Sequence, residues 1–362
     1  MSVYIIAEAG VNHNGSLERA LKMIDVAAEA GADAVKFQTF KSESVISRYA
    51  AKAQYQVRNT GVEESQLEMV KKLELSFDAH RDLVRHCKSR GIEFLSTPFD
   101  VDSLNFLAHD LGIRSLKIAS GEITNYQLLV QAGRTGLPAI LSTGMSTLGE
   151  VEAALGVLAF AYLDSESQPT RERFLQSFAS SDGQAVLGEK VTLLHCTTEY
   201  PAPFDSVNLR AMDTLALAFG LDVGLSDHTV GISVATAAAA RFAKVIEKHF
   251  TLDRLLPGPD HKASLEPDEL KALVASVRQV EAALGSPMKI PCGAEYANIA
   301  IARKSLVANQ KIHAGEPFTS ANLGLKRPGT GISASEYWNF LGRNASRDYE
   351  LDEMIEVKDA GC

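Results

Sequence analysis

The 362-residue chain is 46% apolar and carries a net charge of −9 with no Lys/Arg block, so it can fill a sizeable core but suits neither nucleic acid nor an anionic membrane surface. Its four cysteines, Cys87, Cys196, Cys292 and Cys362, are scattered without a C-x-x-C pair, which favours reduced thiols in a cytoplasmic protein over a disulfide framework or a cysteine-rich zinc site. The apolar run at 3–6 is cut short by Glu8, too early for a signal peptide, and no later segment has the length of a membrane span.

From the N-terminus, short apolar runs alternate with amphipathic stretches. The runs are YIIAEAG (4–10), AVKFQTF (34–40), EFLSTP (93–98), SLKIAS (115–120), AILST (139–143), VTLLHCT (191–197), VGLSDH (223–228) and VIEKHFTL (245–252). Their shortness and their Val, Ile and Phe content predict buried parallel strands. After the first run, Leu17, Ala20, Leu21, Ile24, Ala27 and Ala28 recur at helical spacing, with Ser16 as N-cap and Gly31 as stop. After the eighth, Pro267 opens a helix with the stripe Leu270, Leu273, Val274 and Val277, and Gly285 ends it. Eight βα units over residues 1–285 predict an α/β fold, a (β/α)₈ TIM barrel, rather than an open doubly wound sheet. No G-x-G-x-x-G or G-x-x-x-x-G-K-[ST] loop follows any run.

Two segments break the rhythm. Residues 41–63 read as a long polar loop serving the barrel mouth, and the Ser/Gln/Glu-rich stretch 163–190 reads as a mobile surface insertion with a short helix around 171–178. Beyond Gly285, residues 286–302 read as a linker and 303–362 as a small domain of short strands and turns with a thin core.

Chemistry in a TIM barrel sits at the C-terminal ends of the strands. Those ends carry Glu8, Lys36 with Gln38, Thr97, Lys117 with Ser120, Ser142, Ser226 with His228, and His249. Alternation turns Lys36 and Gln38 to one face, and likewise Ser226 and His228. A lysine inside a barrel strand is costly unless paired with a charge, so Lys36 and Lys117 predict an anion pocket rather than snorkelling core residues. Hydroxyls from Thr97, Ser120, Ser142 and Ser226 would complete a phosphate site. Among the histidines, His80, His86 and His109 read as surface residues of helices, His13, His261 and His313 fall in loops, and the parity of His195 turns it toward the surrounding helices. His228 and His249 end neighbouring strands and suit a divalent metal with open positions. Two histidines are an incomplete site, however, and no H-E-x-x-H motif supports it.

IAEAGVNHNG (6–15), AVKFQTF (34–40), FLSTPFD (94–100), LKIASGEITN (116–125), AILSTGM (139–145), LLHCTTEYPAP (193–203), GLSDHT (224–229), IEKHFTLD (246–253) and PGPDHKAS (257–264) occur in this order. Together they resemble the sialic-acid (nonulosonic acid) synthase family, and KRPGTGIS (326–333) resembles its C-terminal antifreeze-like SAF domain. Within that family the run from CTTEYPAPF to DVGLSDHT looks closest to N,N′-diacetyllegionaminate synthases, then to N-acetylneuraminate synthases. The 163–190 insertion departs from the pattern. The resemblance implies condensation of phosphoenolpyruvate with an N-acylated amino sugar. The sugar is either 2,4-diacetamido-2,4,6-trideoxy-mannose or N-acetylmannosamine, a choice the sequence leaves open. It implies Mn²⁺ or Mg²⁺ on His228 and His249, and phosphoenolpyruvate held by Lys36, Thr97, Lys117, Ser120, Ser142 and Ser226. It places Gln38, Tyr200 and Asp260 near the sugar, with Thr198 at a position where relatives carry asparagine, and makes Glu8 an essential carboxylate. It also implies a domain-swapped homodimer in which Arg327 reaches the acylamino group in trans. Two rivals stay open at this point: a pyruvate aldolase or lyase with Lys36 or Lys117 as Schiff-base nucleophile, and a carbohydrate-binding protein without catalysis.

Overall fold

The computed structural model describes residues 2–61, 64–164 and 166–356. The chain separates into two compact units, Met1–Gly285 and Ser286–Cys362.

The first unit is a (β/α)₈ arrangement. Its eight strands are β1 (Tyr4–Gly10), β2 (Ala34–Thr39), β3 (Glu93–Pro98), β4 (Leu116–Ile118), β5 (Ala139–Ser142), β6 (Val191–Cys196), β7 (Asp222–Asp227) and β8 (Val245–His249). All pair in parallel, in the order β3-β2-β1-β8-β7-β6-β5-β4, and β3 and β4 lie side by side to bring the sheet round on itself. The helices start and stop where the sequence dictates. Ser16 accepts from the Arg19 N–H to open helix Leu17–Ala30, and Gly31 closes it at φ 81°, a left-handed conformation cheap only for glycine. Pro267 occupies the first turn of helix Pro267–Leu284, where its missing N–H costs nothing.

Parity along each strand divides the barrel's side chains into two sets. Outward residues such as Ile5, Val35, Phe37, Leu141, Leu193, Leu225 and Ile246 join the helices in the main core. Inward residues form a separate apolar floor of Ile6, Ala34, Leu95, Ile140, Leu194 and Val245. The floor fills the lower barrel, so the polar residues one step further along each strand are buried above it rather than washed by solvent. Gly224 belongs to this interior: a Cβ there would lie 2.2 Å from the Val245 carbonyl oxygen and 2.8 Å from Leu194 Cδ2.

Several segments depart from expectation. The 41–63 stretch contains helices Ser42–Val45 and Gln54–Thr60, while Val62 and Glu63 lie outside the described residues. In the 163–190 insertion the expected helix is present as Arg171–Ala179, but a second one, Ser181–Lys190, follows it, and both pack on helix Leu148–Leu163. That helix is apolar nearly all round, and Phe174 covers its outer side, stacking edge-on with Phe160 at 5.3 Å. His80 is fully buried, not a surface residue: its ring bonds the Ser76 carbonyl at 2.9 Å and packs edge-on against Phe94 and Phe106. His195 turns away from the barrel interior and bonds the Val207 carbonyl. Among the described residues Cys87, Cys196 and Cys292 are free thiols, and no helix is long and apolar enough to cross a membrane. Cys362 lies outside the described residues.

The second unit has its own small core of Leu306, Ala308, Ile312, Phe318, Leu323, Phe340, Ala345, Tyr349 and Ile355. It contains an antiparallel pair, β9 (Ser305–Ala308) and β10 (Leu323–Lys326). Residues 286–302 include helix Gly293–Ala302, whose last turn accepts from the Gly329 N–H at Ala300 and from Arg327 Nε at Ala302.

Two glycines test the packing. Gly224→Ala should lower unfolding stability by roughly 1–3 kcal/mol, because the methyl meets backbone that cannot yield. Gly188→Ala, on a helix with nothing near its Cβ, should be neutral or stabilising by about 0.5–1 kcal/mol. Urea unfolding of both variants checks the contrast; equal effects would contradict the described interior.

Candidate active site

The charged layer above the apolar floor is set by strand register. Lys36 on β2 pairs with Glu8 on β1, and Glu8 pairs with His249 on β8, so three functional groups stand abreast on adjacent strands. On the other side of β8, Glu247 pairs with Ser226 on β7, and Ser226 with Cys196 on β6. Glu8, Lys36, Lys117 and Glu247 are each at most 3% exposed.

Glu247 joins the two lysines. One carboxylate oxygen lies 3.5 Å from Lys36 Nζ, and the other lies 3.5 Å from Lys117 Nζ and accepts from Ser226 Oγ at 2.8 Å. Lys36 Nζ also sits 2.7 Å from Glu8 and donates to Thr97 Oγ1 at 3.1 Å, and Lys117 Nζ donates to Ser142 Oγ at 2.8 Å. The burial of both lysines is therefore met inside the protein by two carboxylates, only one of which, Glu8, was singled out from the sequence.

The two carboxyls differ in charge. Burial raises Glu247, but Lys117 and Lys36 outweigh it and bring the group down to about 2. For Glu8 burial wins: with the Glu247 charge adding to it and Lys36 opposing, the group rises to about 7. Burial alone would lower Lys36, yet Glu247 and Glu8 hold it above its ordinary value. Lys117 is lowered by burial, with the Lys36 charge adding to that and Glu247 only partly offsetting it. The arrangement is a fixed carboxylate, an anchored ammonium and a carboxyl that exchanges its proton near neutrality.

Above this layer, His228 and His249 face each other with ring centroids 5.3 Å apart. Tyr200 packs against both rings, at 4.1 and 5.5 Å. His228 Nδ1 donates to the Thr197 carbonyl at 2.7 Å, which in the neutral ring leaves the lone pair on Nε2. His249 Nδ1 is buried with no hydrogen-bond partner, and burial keeps the ring well below its ordinary pKa and neutral. Burial would lower His228 too, but Cys196, with its Sγ 3.7 Å from Nδ1, outweighs it and raises the ring. Two lone-pair nitrogens fit an open site for a divalent ion whose remaining positions come from ligands and water. Among the described residues no group of three or more His, Cys, Asp or Glu side chains is arranged to hold a metal.

A single cavity of about 420 Å³ is lined by Glu8, Lys36, Gln38, Thr97, Lys117, Ser120, Ser142, Thr198, Tyr200, Ser226, His228, His249 and Asp260. Ser120 Oγ accepts from the Gly144 N–H at 2.9 Å, and Asp260, buried, is raised to about 6. The Thr198 hydroxyl is buried without a hydrogen-bond partner. Arg327 belongs to the second unit, where it is exposed just beyond β10. The same cavity includes Glu247 and Cys196, which the sequence reading passed over. Parity would have found both: Glu247 shares a face with His249, and Cys196 with Leu194 and Thr198.

The NeuB family profile matches residues 23–289, and the SAF domain profile matches 303–359. The chain is 51% identical to the N,N′-diacetyllegionaminic acid synthase of Campylobacter jejuni, over 97% of this chain and 98% of that one. It is 45% identical to the protein of the same name from Legionella pneumophila, over 96% and 91%. Among solved structures, the N-acetylneuraminic acid (sialic acid) synthetase of Leptospira borgpetersenii, determined with citrate, superposes with a TM-score of 0.66 at 34% identity, covering 83% of this chain and 90% of that one.

The charge assignment predicts unequal stability effects. Glu247→Gln leaves two buried ammonium groups short of a counter-charge and should cost about 3–5 kcal/mol at pH 7. Glu8→Gln replaces a carboxyl that burial already raises to about 7, so less charge is lost there and the cost should be clearly smaller. Thermal or denaturant unfolding of the metal-free variants measures both; equal losses would show that the charges are shared differently.

Proposed function

The chain belongs to the NeuB family, and from that premise we propose that it joins phosphoenolpyruvate to an N-acylated amino sugar, releasing inorganic phosphate and a nine-carbon 2-keto sugar acid. The observation that carries this reading is the buried charge layer. With Glu8 protonated, Lys36, Lys117 and Glu247 leave one net positive charge at the cavity floor, ringed by the hydroxyls of Thr97, Ser120, Ser142 and Ser226. That is a seat for an anion, and its donors are already aligned, so little reorganisation is needed when the ligand arrives.

The favoured acceptor is 2,4-diacetamido-2,4,6-trideoxy-mannose, giving N,N′-diacetyllegionaminate, because both bacterial relatives are named for that product. N-acetylmannosamine, giving N-acetylneuraminate, is the other candidate. The sugar would lie above the anion, where Gln38, Thr198, Tyr200 and Asp260 line the cavity. A divalent ion, Mn²⁺ or Mg²⁺, held by His228 and His249 would supply a Lewis acid for the aldehyde oxygen of the open-chain sugar.

The terminal carbon of phosphoenolpyruvate forms the new C–C bond to the aldehyde carbon, and the aldehyde oxygen takes up a proton. The cation left at the enol carbon is met by water, which gives up a proton as its C–O bond forms, and phosphate then leaves, taking with it the proton of the new hydroxyl, to give the ketone. Glu8, which exchanges its proton near neutrality, is the group to deliver the first proton and accept the second. Glu247 stays ionised throughout and stabilises the cation from below. Lys36, held protonated by Glu247 and Glu8, is a poor amine nucleophile, which counts against Lys36 as the Schiff-base residue of a lyase.

The functional division follows: a catalytic barrel over 1–285, a connection over 286–302 and an antifreeze-like SAF domain over 303–362. The assembly is a cytoplasmic homodimer in which the SAF domain of one chain serves the barrel of the other and brings Arg327 to the acylamino group. Supporting this, Tyr49, Met145, Phe204, Val230 and Leu255 are exposed apolar residues on loops after five different barrel strands, a rim suited to being covered.

Phosphate release from phosphoenolpyruvate with a panel of N-acylated sugars tests the reading. Turnover should require the sugar, stop with chelator and return with Mn²⁺ or Mg²⁺. A borohydride-trapped adduct with pyruvate would contradict it. Glu8→Gln should lower kcat by about 10²-fold or more while phosphoenolpyruvate still binds. Mixing inactive Arg327→Ala and Glu8→Gln chains should restore activity after subunit exchange; silence in confirmed heterodimers would rule out the shared site.

A further inference from the structure

Behind the two histidines the barrel wall contains an ion pair that faces away from the cavity. Asp227 on β7 and Lys248 on β8 are register partners, and their side chains are 1% and 0% exposed. Lys248 Nζ donates to Asp227 Oδ2 at 2.8 Å and to the Thr229 carbonyl at 2.5 Å, and the Thr229 N–H returns a bond to Asp227 Oδ1 at 2.9 Å. The other outward positions of the eight strands are apolar, apart from the hydrogen-bonded Thr39–Ser96 pair and His195.

Stability is a poor reason for such a pair. Removing two charges from water about cancels their attraction, and apolar residues of similar size serve a core as well or better. What the pair supplies is position. The β7–β8 ladder ends at Asp227 and Lys248, so His228 lies one residue beyond the last laddered position of its strand. His249 is held independently, by register with Glu8 on β1 and by the Leu265 N–H on its carbonyl. On the β7 side, Lys248 grips the residue before His228 through its carboxylate and the residue after it through its carbonyl, tying that backbone to β8.

We propose that Lys248, Asp227 and the Thr229 carbonyl form a positioning strut that sets the separation of His228 and His249, and with it the affinity of the site for a divalent cation. This rests on the reading of those histidines as the metal pair. Substrate does not touch the strut; it acts through the ring it holds in place.

Three variants of the full-length chain test it, by Mn²⁺ titration followed by EPR and by melting of the metal-free protein. The apolar replacement, Lys248→Met with Asp227→Leu, should melt at or above the parent temperature while Mn²⁺ affinity falls 10- to 100-fold, as expected when the support of a metal ligand is lost. The neutral hydrogen-bonded replacement, Lys248→Gln with Asp227→Asn, should recover a substantial part of that affinity. His249→Ala should abolish Mn²⁺ binding. Parental Mn²⁺ affinity in the folded apolar variant would overturn the strut, and so would collapse of its melting temperature, which would make the pair a requirement of the fold. Parental affinity in His249→Ala would instead overturn the metal reading itself, independently of the strut.

Discussion

A buried carboxylate held between two ammonium groups is the constraint around which the barrel mouth is built. Glu247 cannot be ionised in that position without Lys36 and Lys117, and neither lysine tolerates burial without a carboxylate within reach. Three strands must therefore arrive in one register, and the apolar floor below must keep solvent out. With Glu247 fixed as the anion, the second carboxyl, Glu8, is pushed toward its neutral form, because burial disfavours its charge and the Glu247 carboxylate adds to that against Lys36. A proton that is exchangeable near neutrality is thus a consequence of packing, placed where the proposed condensation needs one.

The cavity rises from this floor in order of chemistry. Charge lies at the bottom, the imidazoles and Tyr200 stand above it, and the unpartnered Thr198 hydroxyl and buried Asp260 border the space beyond. Behind the imidazoles a second buried pair, Lys248 with Asp227, shows the same parity on the opposite face of the same two strands. Adjacent residues on β7 and β8 therefore serve alternately as cavity lining and as scaffold. A one-residue slip would put scaffold charges into the cavity and cavity groups into the helical shell.

Much of this was legible in the chain. The caps Ser16 and Gly31, the Pro267 helix start and the eight apolar runs carry local physics strong enough to be read alone, and the polar tips followed from the barrel they imply. Glu247 lies inside the run 245–252 but was missed because only His249 was taken from that strand as a functional residue. Only strict alternation reveals one buried residue on each face, and that depends on neighbours the sequence does not display. The 163–190 segment misled by composition: its polar residues face water, while Phe174, Phe178 and Leu187 pack it against the main core. His80 sits on an amphipathic helix as expected but on its inner face, with its Nδ1–H donating to the Ser76 carbonyl.

The division of charge between Glu247 and Glu8 is measured directly by carboxyl ¹³C NMR of metal-free protein labelled at glutamate, with Glu8→Gln and Glu247→Gln providing the assignments. The Glu8 signal should titrate near pH 7, losing its proton as pH rises, while the Glu247 signal should remain that of a carboxylate down to the acid limit of the folded protein. A Glu8 signal already ionised at pH 5, or a Glu247 signal that titrates near neutrality, would contradict that division of charge.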